Sequence, residues 1–443
     1  MTVREIALRL LTEYELGGKY VNLSLSSHAA DKLSREERAF LTVLLYTTVE
    51  RKLNLDYRIA AVSGRSLDKL DSNTLNILRL GLCQVIFINS VPSHAAVNET
   101  VKLARSAGER SFVNGVLRAA VRMHESGTLP LPEKSKNPVR YLSIRESFPS
   151  ELVKQLVREY GFEDAERMLV SFNSERNTDI TVNTLKISRE DYLERLKEQG
   201  IAAKLSSLSS IGIRILSSVD PKTLPGFDEG LFFVQDASCA LSAEVLGARS
   251  GELIADVCAA PGGKSFAVSI LSGAGAQILA FDIHESKLSL IEGGAKRLGL
   301  ENVRVEASDS SVVREELVGR LDGVICDVPC SGLGVLSKKP DLRYNAQERS
   351  AALPELQYSI LKASSAYLKV GGRLVYSTCT LIPEENSGVV ERFLKENPDF
   401  RLKAFSAGGL SSDGMLTLLP HIHGTDGFFI ALLEKTGTDG GNV

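Results

Sequence analysis

Tryptophan is absent from the 443 residues and methionine occurs only four times. Any surface that stacks a nucleobase must therefore rely on Tyr, Phe or Arg. Cysteine is sparse at six, no two stand in a CxxC pair, and the six histidines show no ligand spacing. A structural zinc site is not expected. No stretch approaches the roughly 18 consecutive apolar residues of a membrane-spanning helix. The N-terminal segment, with Arg4 and Glu5 inside an amphipathic pattern, carries no signal-peptide core. A cytoplasmic protein with reduced thiols and no membrane partner is expected. Internal repeats are missing, as is low-complexity sequence beyond a short glycine-rich C-terminus.

What is present is ordinary for a globular chain, with 43% hydrophobic and 24% charged residues. The length exceeds what one core accommodates, so several domains are expected. Net charge is −3, which speaks against a general nucleic-acid binder, but the charge is uneven. Residues 1–140 carry 20 Lys and Arg against 14 Asp and Glu, and the remainder carries 32 against 41. A basic front segment suits a polyanionic partner, although a merely solvated helical surface fits the same excess.

Residues 1–125 read as all-helical. Val3, Ile6, Ala7, Leu10, Leu11 and Tyr14 follow the spacing of one apolar helix face. Further helices are predicted over Glu36–Arg51, Asp71–Asn89 with Asp71 or Ser72 as N-cap, Ala95–Ser106 and Phe112–His124. Residues 126–139, with Pro130, Pro132 and Pro138, form a linker. Residues 140–225 suit a small α+β module, with strands near Ile180–Leu185 and Ile211–Leu216. From about Gly226 to residue 436 the pattern alternates strand and helix, which predicts a doubly wound α/β sheet. Residues 437–443 read as a flexible tail.

On the first strand of that sheet, Asp256-Val257-Cys258-Ala259-Ala260-Pro261-Gly262-Gly263-Lys264 makes a glycine-rich turn into a helix. Such a turn lets backbone approach a ligand at a helix N-terminus. Gly263-Lys264-Ser265 ends like a P-loop, but Cys258 stands where that pattern needs glycine. The GxGxxG dinucleotide fingerprint is absent too. Asp282 ends the second strand and can bind ribose hydroxyls, and Asp309 follows the third and can bind an adenine amine. A cofactor with adenosine but no phosphate fits, and S-adenosylmethionine is the candidate.

Two further segments, Asp327-Val328-Pro329-Cys330-Ser331-Gly332 and Tyr376-Ser377-Thr378-Cys379-Thr380, each close an apolar run and open a polar loop. That puts both cysteines at carboxyl ends of strands, where ligands bind. A lone cysteine is ordinarily a small buried hydrophobe. Two thiols beside a nucleotide-like loop point instead to covalent chemistry. The residues alone do not say which thiol attacks. Asp327 could equally cap its own loop.

Together with Pro383-Glu384-Glu385-Asn386 and Asp426-Gly427-Phe428-Phe429, these segments resemble the successive motifs of RNA cytosine-5 methyltransferases. Val91-Pro92-Ser93-His94-Ala95-Ala96-Val97-Asn98-Glu99 and Phe112-Val113-Asn114-Gly115-Val116-Leu117-Arg118 resemble a NusB-type RNA-binding domain. The pairing is similar to the RsmB/Sun/Fmu family over nearly the whole chain. The resemblance implies an all-α NusB-like N-terminal domain, a ferredoxin-like module that positions RNA, and a Rossmann-type class I methyltransferase domain. It implies that Cys258 through Lys264, Asp282, Asp309 and Asp327 line the S-adenosylmethionine pocket. It further implies that Cys379 is the nucleophile, that Cys330 assists product release, and that the partner is 16S ribosomal RNA, naked or partly assembled. A monomer is the default.

The implied chemistry suits these groups. Adding a thiolate to C6 of cytosine turns C5 into an enamine carbon able to attack a sulfonium methyl. A proton or hydrogen bond at N3, from Asp327, eases that addition. Two other readings compete: a non-catalytic RNA-binding or antitermination factor, and a methyltransferase acting on another base. Amino-methylating sites commonly follow Asp/Asn-Pro-Pro with an aromatic, whereas Cys330 occupies that place here. Three further expectations follow. Glu384 and Glu385 complement the dipole in the first turn of the next helix. Gly293-Gly294 loosens its helix by about 1 kcal/mol per glycine. Ile180-Thr181-Val182-Asn183 lacks the arginine that relatives commonly carry before Val-Asn.

Overall fold

A computed structural model describes residues 1–17, 33–174, 177–217, 219–344 and 352–437. Residues 438–443 of the expected tail lie outside the described residues. Two compact units emerge: Met1–Ser174 with Leu336–Asn345, and Glu175–Val335 with Ala346–Val443.

The first unit is helical. Val3–Gly17, Arg35–Glu50, Lys52–Ser63, Ser72–Phe87, Ser93–Val101 and Ala107–Glu125 enclose a core that includes Leu10, Leu44, Leu55, Ile77, Leu80, Val113 and Leu117. Asp71 caps its helix as expected, accepting from Asn73 N and Thr74 N. Ser34 and Glu37 form a reciprocal capping box. The helix Lys52–Ser63 had no sequence signal, because neither glycine nor proline marks the break at Arg51. Arg79 is buried in this core, donating twice to Asp56 and once to Glu15.

Three more helices, Pro138–Glu146, Ser150–Tyr160 and Phe162–Phe172, belong to the same compact unit. Sequence pattern had grouped them with the strands that follow. Side chains decide the matter: Ser147 Oγ accepts from Leu53 N, and Arg145 O accepts from Asn54 Nδ2.

The second unit holds two principal sheets. The smaller is antiparallel, of strands β1 (Thr178–Val182), β2 (Ala203–Leu205), β3 (Gly212–Ile215) and β4 (Phe232–Val234) in the order β2-β3-β1-β4. The helix Arg189–Glu198 buries Tyr192 and Leu196 in one core with Ile180, Ile213 and Phe232.

The larger sheet contains β5 (Leu253–Asp256), β6 (Gln277–Asp282), β7 (Val303–Ala307), β8 (Leu321–Asp327), β9 (Leu368–Thr378), β10 (Phe400–Leu402), β13 (Met415–Leu418) and β14 (Phe428–Lys435). A separate two-stranded ribbon joins β11 (Phe405–Ala407) to β12 (Leu410–Ser412). Strand order is β10-β14-β9-β8-β5-β6-β7, with β13 beside β14. β5 through β9 are parallel and β14 is antiparallel to β9. The sheet is covered on both faces, as its two-residue alternation requires. Ile254, Ile325, Val375 and Ile430 face a core with Leu241, Phe266 and Ile291. Ala255, Val324, Leu374 and Ala431 face the other, with Leu361, Val390 and Phe393.

Candidate active site

Because β5 to β9 run parallel, their carboxyl ends share one edge, and chain order reverses across β5. Ligands in such sheets bind at that switch point. Along the edge lie Cys379 directly after β9, Asp327 at the end of β8 with Cys330 three residues on, Asp256 ending β5, Asp282 ending β6, and Asp309 shortly after β7. Neighbouring strands sit about 4.8 Å apart. Four strand intervals therefore separate the strand that leads to Cys379 from the one that leads to Asp309, roughly 20 Å in all.

The Asp256–Lys264 turn is tightly built. Ala259 N donates to Phe281 O at 2.7 Å, Ala260 N donates to Asp282 Oδ2 at 3.3 Å, and Gly262 N donates to Ala259 O at 2.6 Å. Gly262 has φ +108°, and a Cβ there would sit 2.3 Å from the Phe266 ring. Only glycine fits both demands. Pro261 is the exposed tip of the turn, and Gly263 opens the helix Gly263–Leu271. Asp282 Oδ1 also accepts from His284 N. Asp309 is exposed and accepts from Ser311 Oγ and Ser311 N, which hold its carboxyl below the usual range. Burial pushes the Cys258 thiol well up and the Asp256 carboxyl up to about 6, opposed in Asp256 by the hydrogen bond from Ser265.

The two thiols meet. Cys330 Sγ lies 3.2 Å from Cys379 Sγ, although 49 residues separate them. The contact with Cys330, followed by burial, pushes the Cys379 thiol well above its ordinary value; nearby Asp327 adds to the shift and Lys264 opposes it. The loops that carry the thiols are clamped together. Ser331 N donates to Glu385 Oε2 at 2.9 Å, Ser331 Oγ and Thr380 Oγ1 are 2.8 Å apart, and Gly334 N donates to Cys379 O at 2.9 Å. Gln357 Nε2 bridges Pro329 O and Glu385 Oε2.

Lys264 and Asp327 form the site's ion pair. Lys264 Nζ lies 2.6 Å from Asp327 Oδ2, and Ser377 Oγ donates to Asp327 Oδ1 at 2.6 Å. Burial disfavours the Lys264 ammonium, but the adjoining carboxylate outweighs it and the lysine stays protonated.

Two expectations need correction, and a third segment acquires a packing role. Glu385 is buried in a 3-10 turn (Pro383–Glu385) ahead of the helix Ser387–Glu396, so it braces the Cys330 loop instead of complementing a dipole. Glu384 is exposed in the same turn. Gly294 is a packing requirement, because a Cβ there would lie 2.6 Å from the Phe266 ring. Asn183 is buried and donates to Gly230 O and Leu298 O, so it braces the fold. Sequence reasoning missed Ser331, Gln357 and Ser377, whose roles arise only from their distant partners. Among the described residues no cluster of three or more His, Cys, Asp or Glu is placed to hold a metal ion, and no helix is long and apolar enough to cross a membrane.

Comparison with known proteins agrees across the chain. Residues 243–434 match the family model for 16S rRNA methyltransferase RsmB/F, residues 1–122 match the NusB family, and residues 148–221 match the ferredoxin-like domain of RsmF/B-like methyltransferases. The chain is 35% identical to the probable ribosomal RNA small subunit methyltransferase B of Bacillus subtilis, covering 98% of this chain and 99% of that protein. It is 36% identical to the Synechocystis protein of the same description, over 98% and 100% of the two chains. The crystal structure of PH0851 superposes with a TM-score of 0.77 at 25% identity over 98% of each chain. A methyltransferase homologue from Pyrococcus horikoshii superposes at TM-score 0.59 and 29% identity, over 68% of this chain and 99% of that one.

Proposed function

Because the chain belongs to the RsmB/F family of 16S rRNA methyltransferases, we propose that it methylates C5 of a cytosine in 16S ribosomal RNA through a transient bond from Cys379 to C6. The single observation that carries this reading is the 3.2 Å approach of two thiols beside an Asp–Lys pair at the cofactor edge of the sheet. S-adenosylmethionine, the cofactor of the family, supplies an electrophilic sulfonium methyl when bound.

The residues at the edge fit that cofactor. Asp282 offers a carboxylate at a strand end, where ribose hydroxyls are bound in such folds. The neighbouring Ile283 is 60% exposed and Val312, near Asp309, is also 60% exposed. Exposed aliphatic side chains flanking a carboxylate suit an adenine ring and its amine. The backbone of Cys258 through Lys264 lies between these groups and the thiols.

Chemistry then follows from the protein's own groups. The Cys379 thiol gives up its proton to solvent before sulfur bonds to C6, and a proton must reach N3 for charge to balance. Asp327 is one of the charges acting on Cys379, and its carboxylate can relay a proton from water to N3 as the thiolate adds. Lys264 and Ser377 hold that carboxylate in place. Once C5 carries the methyl group, its remaining hydrogen leaves as a proton to water, the C6–sulfur bond breaks, and the N3 proton departs as it came, which restores the Cys379 thiolate and the neutral aromatic ring. Cys330, in contact with the departing sulfur, is the group that assists this release.

The target base must be unpaired or flipped for sulfur to reach C6. The helical unit offers a surface for the surrounding RNA. Arg110, Asn114, Arg118 and Arg122 recur every four residues along Ala107–Glu125, hence on one face. They line two adjoining concavities with Ser93, His94 and Asn98. Arginines on one face suit phosphate oxygens.

The test is incubation of Cys379→Ala and Cys330→Ala proteins with RNA from a strain lacking the enzyme. Cys379→Ala is expected to give neither product nor adduct. Cys330→Ala is expected to leave an enzyme–RNA adduct on a denaturing gel. Mapping of the new methyl groups should find 5-methylcytosine; the reversed adduct pattern, or a methyl group on another atom, overturns the proposal.

A further inference from the structure

The segment Pro383-Glu384-Glu385-Asn386 follows β9 by a few residues and bonds to both thiol loops. Glu385 and Asn386 are 1% and 3% exposed, so their side chains serve the interior. Three bonds shape the segment itself. Glu385 N donates to Ile382 O and Asn386 N to Pro383 O, each at 3.0 Å, and Tyr376 Oη donates to Glu385 O at 2.6 Å.

The two side chains divide the cysteines between them. Glu385 takes Cys330. Its Oε2 accepts at 2.9 Å from Ser331 N, the amide just after Cys330. The same oxygen accepts from Gln357 Nε2 at 2.9 Å, and Gln357 Nε2 also donates at 3.0 Å to Pro329 O, the carbonyl just before Cys330. Asn386 takes Cys379. Its Oδ1 accepts from Thr378 Oγ1, and its Nδ2 donates to Thr380 O at 3.0 Å, so it too bonds on either side of its cysteine. Gln357, Thr378 and Thr380 are fully buried, which leaves little water to compete for these bonds. Every residue of the set belongs to the sheet unit.

Adjacent residues have Cα atoms about 3.8 Å apart across a trans peptide, so the two grips cannot drift from one another. We propose that Glu385 and Asn386 are positioning residues for the two thiols: Glu385, with Gln357, seats Cys330, Asn386 seats Cys379, and the peptide bond joining them sets how closely the sulfurs approach. A misplacement of about 1 Å at reacting atoms can cost on the order of a hundredfold in rate. The consequence is a division by step. Asn386 governs attack on C6, and Glu385 governs release of product. This inference rests on the assignment of Cys379 to attack and Cys330 to release, and the experiment separates the two.

Glu385→Ala and Asn386→Ala each remove one grip, and Glu385→Gln keeps an accepting oxygen as the conservative control. Affinity for S-adenosylmethionine, measured by calorimetry, should stay within threefold of the parent and reports the fold of the sheet unit. Should an alanine variant lose it, Gln357→Met and Thr378→Val, which remove a bonding group from each grip with little change in shape, decide. The first readout needs no RNA. Diamide oxidises the two thiols to a disulfide, taking up their two protons and two electrons to become the hydrazine, and mass spectrometry follows the Cys330–Cys379 crosslink. Crosslinking should slow at least fivefold in both alanine variants and stay within twofold of the parent in Glu385→Gln. Equal rates throughout overturn the clamp whatever the cysteines do. The second readout is single turnover on 16S RNA, with Cys330→Ala as reference. Asn386→Ala should slow adduct formation at least tenfold. Glu385→Ala should form adduct no more slowly than the parent and release it at least tenfold more slowly. Loss at the same step in both variants, or the reverse division, overturns the proposal. Slowed crosslinking together with a Cys330→Ala protein that forms no adduct leaves the clamp standing and removes the release role.

Discussion

The Lys264 ammonium and the Asp327 carboxylate, 63 positions apart in sequence, are joined at 2.6 Å, and both charges act on the Cys379 thiol. The pair is a matched charge set in a largely enclosed site, with the lysine side chain only 10% exposed. Removing one partner strands the other in poor solvent, which is more costly than removing both.

That asymmetry is measurable. Lys264→Met should destabilise the protein by about 2 kcal/mol, below the usual range for a fully buried pair because the Asp327 side chain keeps some water contact. Adding Asp327→Asn should restore most of that stability without restoring methylation. Urea unfolding of the two single variants and the double variant, beside a methyl-transfer assay, checks both halves. Additive losses of stability would show that the two side chains do not act as a pair.

The raised pKa of Cys379 fixes the sign of the pH dependence. Thiolate is the attacking form, so its population, and the rate of adduct formation, should rise tenfold per pH unit between pH 6 and 8.5. The contact with Cys330 is the leading cause of the shift. Cys330→Ala should therefore form adduct faster than the parent at pH 7, with its plateau at lower pH. Rapid-quench single-turnover measurements across this range supply the comparison.

Adjacent glycines in the helix Glu285–Leu298 should respond in opposite directions. A Cβ at Gly293 meets nothing within 4 Å, so Gly293→Ala should stabilise by about 1 kcal/mol through helix propensity alone. Gly294→Ala drives its methyl into the Phe266 ring and should destabilise by about 1–3 kcal/mol. Thermal melts of the two variants decide this. Similar shifts for both would remove the packing explanation.

Asp256 links stability to acid. Its carboxyl is held at about 6 in the folded protein against an ordinary 3.8, so the folded state binds the extra proton between those values. Stability contributed by this group is greatest below pH 4 and falls as pH rises toward 6, by at most about 3 kcal/mol. Asp256→Asn, which can still accept from Ser265, should flatten that part of the profile. Urea midpoints at pH 4, 5, 6 and 7 for parent and variant test the sign.

Much of the architecture was legible in the chain because its causes are local. The i, i+3, i+4 apolar spacing of Val3 to Tyr14, the Asp71 cap, the apolar runs in β8 and β9, and the glycine-rich turn after Asp256 all act within a few residues. Knowing that Cys330 and Cys379 follow parallel strands was enough to bring them to one edge. Their contact at 3.2 Å was not legible, since it depends on β8 and β9 being neighbours in register. Glu385 read as an acid of a helix first turn, complementing its dipole, until Ser331 N and Gln357 Nε2 gave it a buried bracing role. Arg343 gave no signal at all, because its partners Glu50, Ser147 and Asn173 lie some 170 to 290 residues upstream. Sequence by itself determined which segments become helix, strand and cofactor turn, since backbone sterics and side-chain periodicity act at short range. Tertiary structure alone decided which charges pair, which thiol touches which, and which helices share a core, because burial and Coulomb energy depend on distances that chain order does not contain.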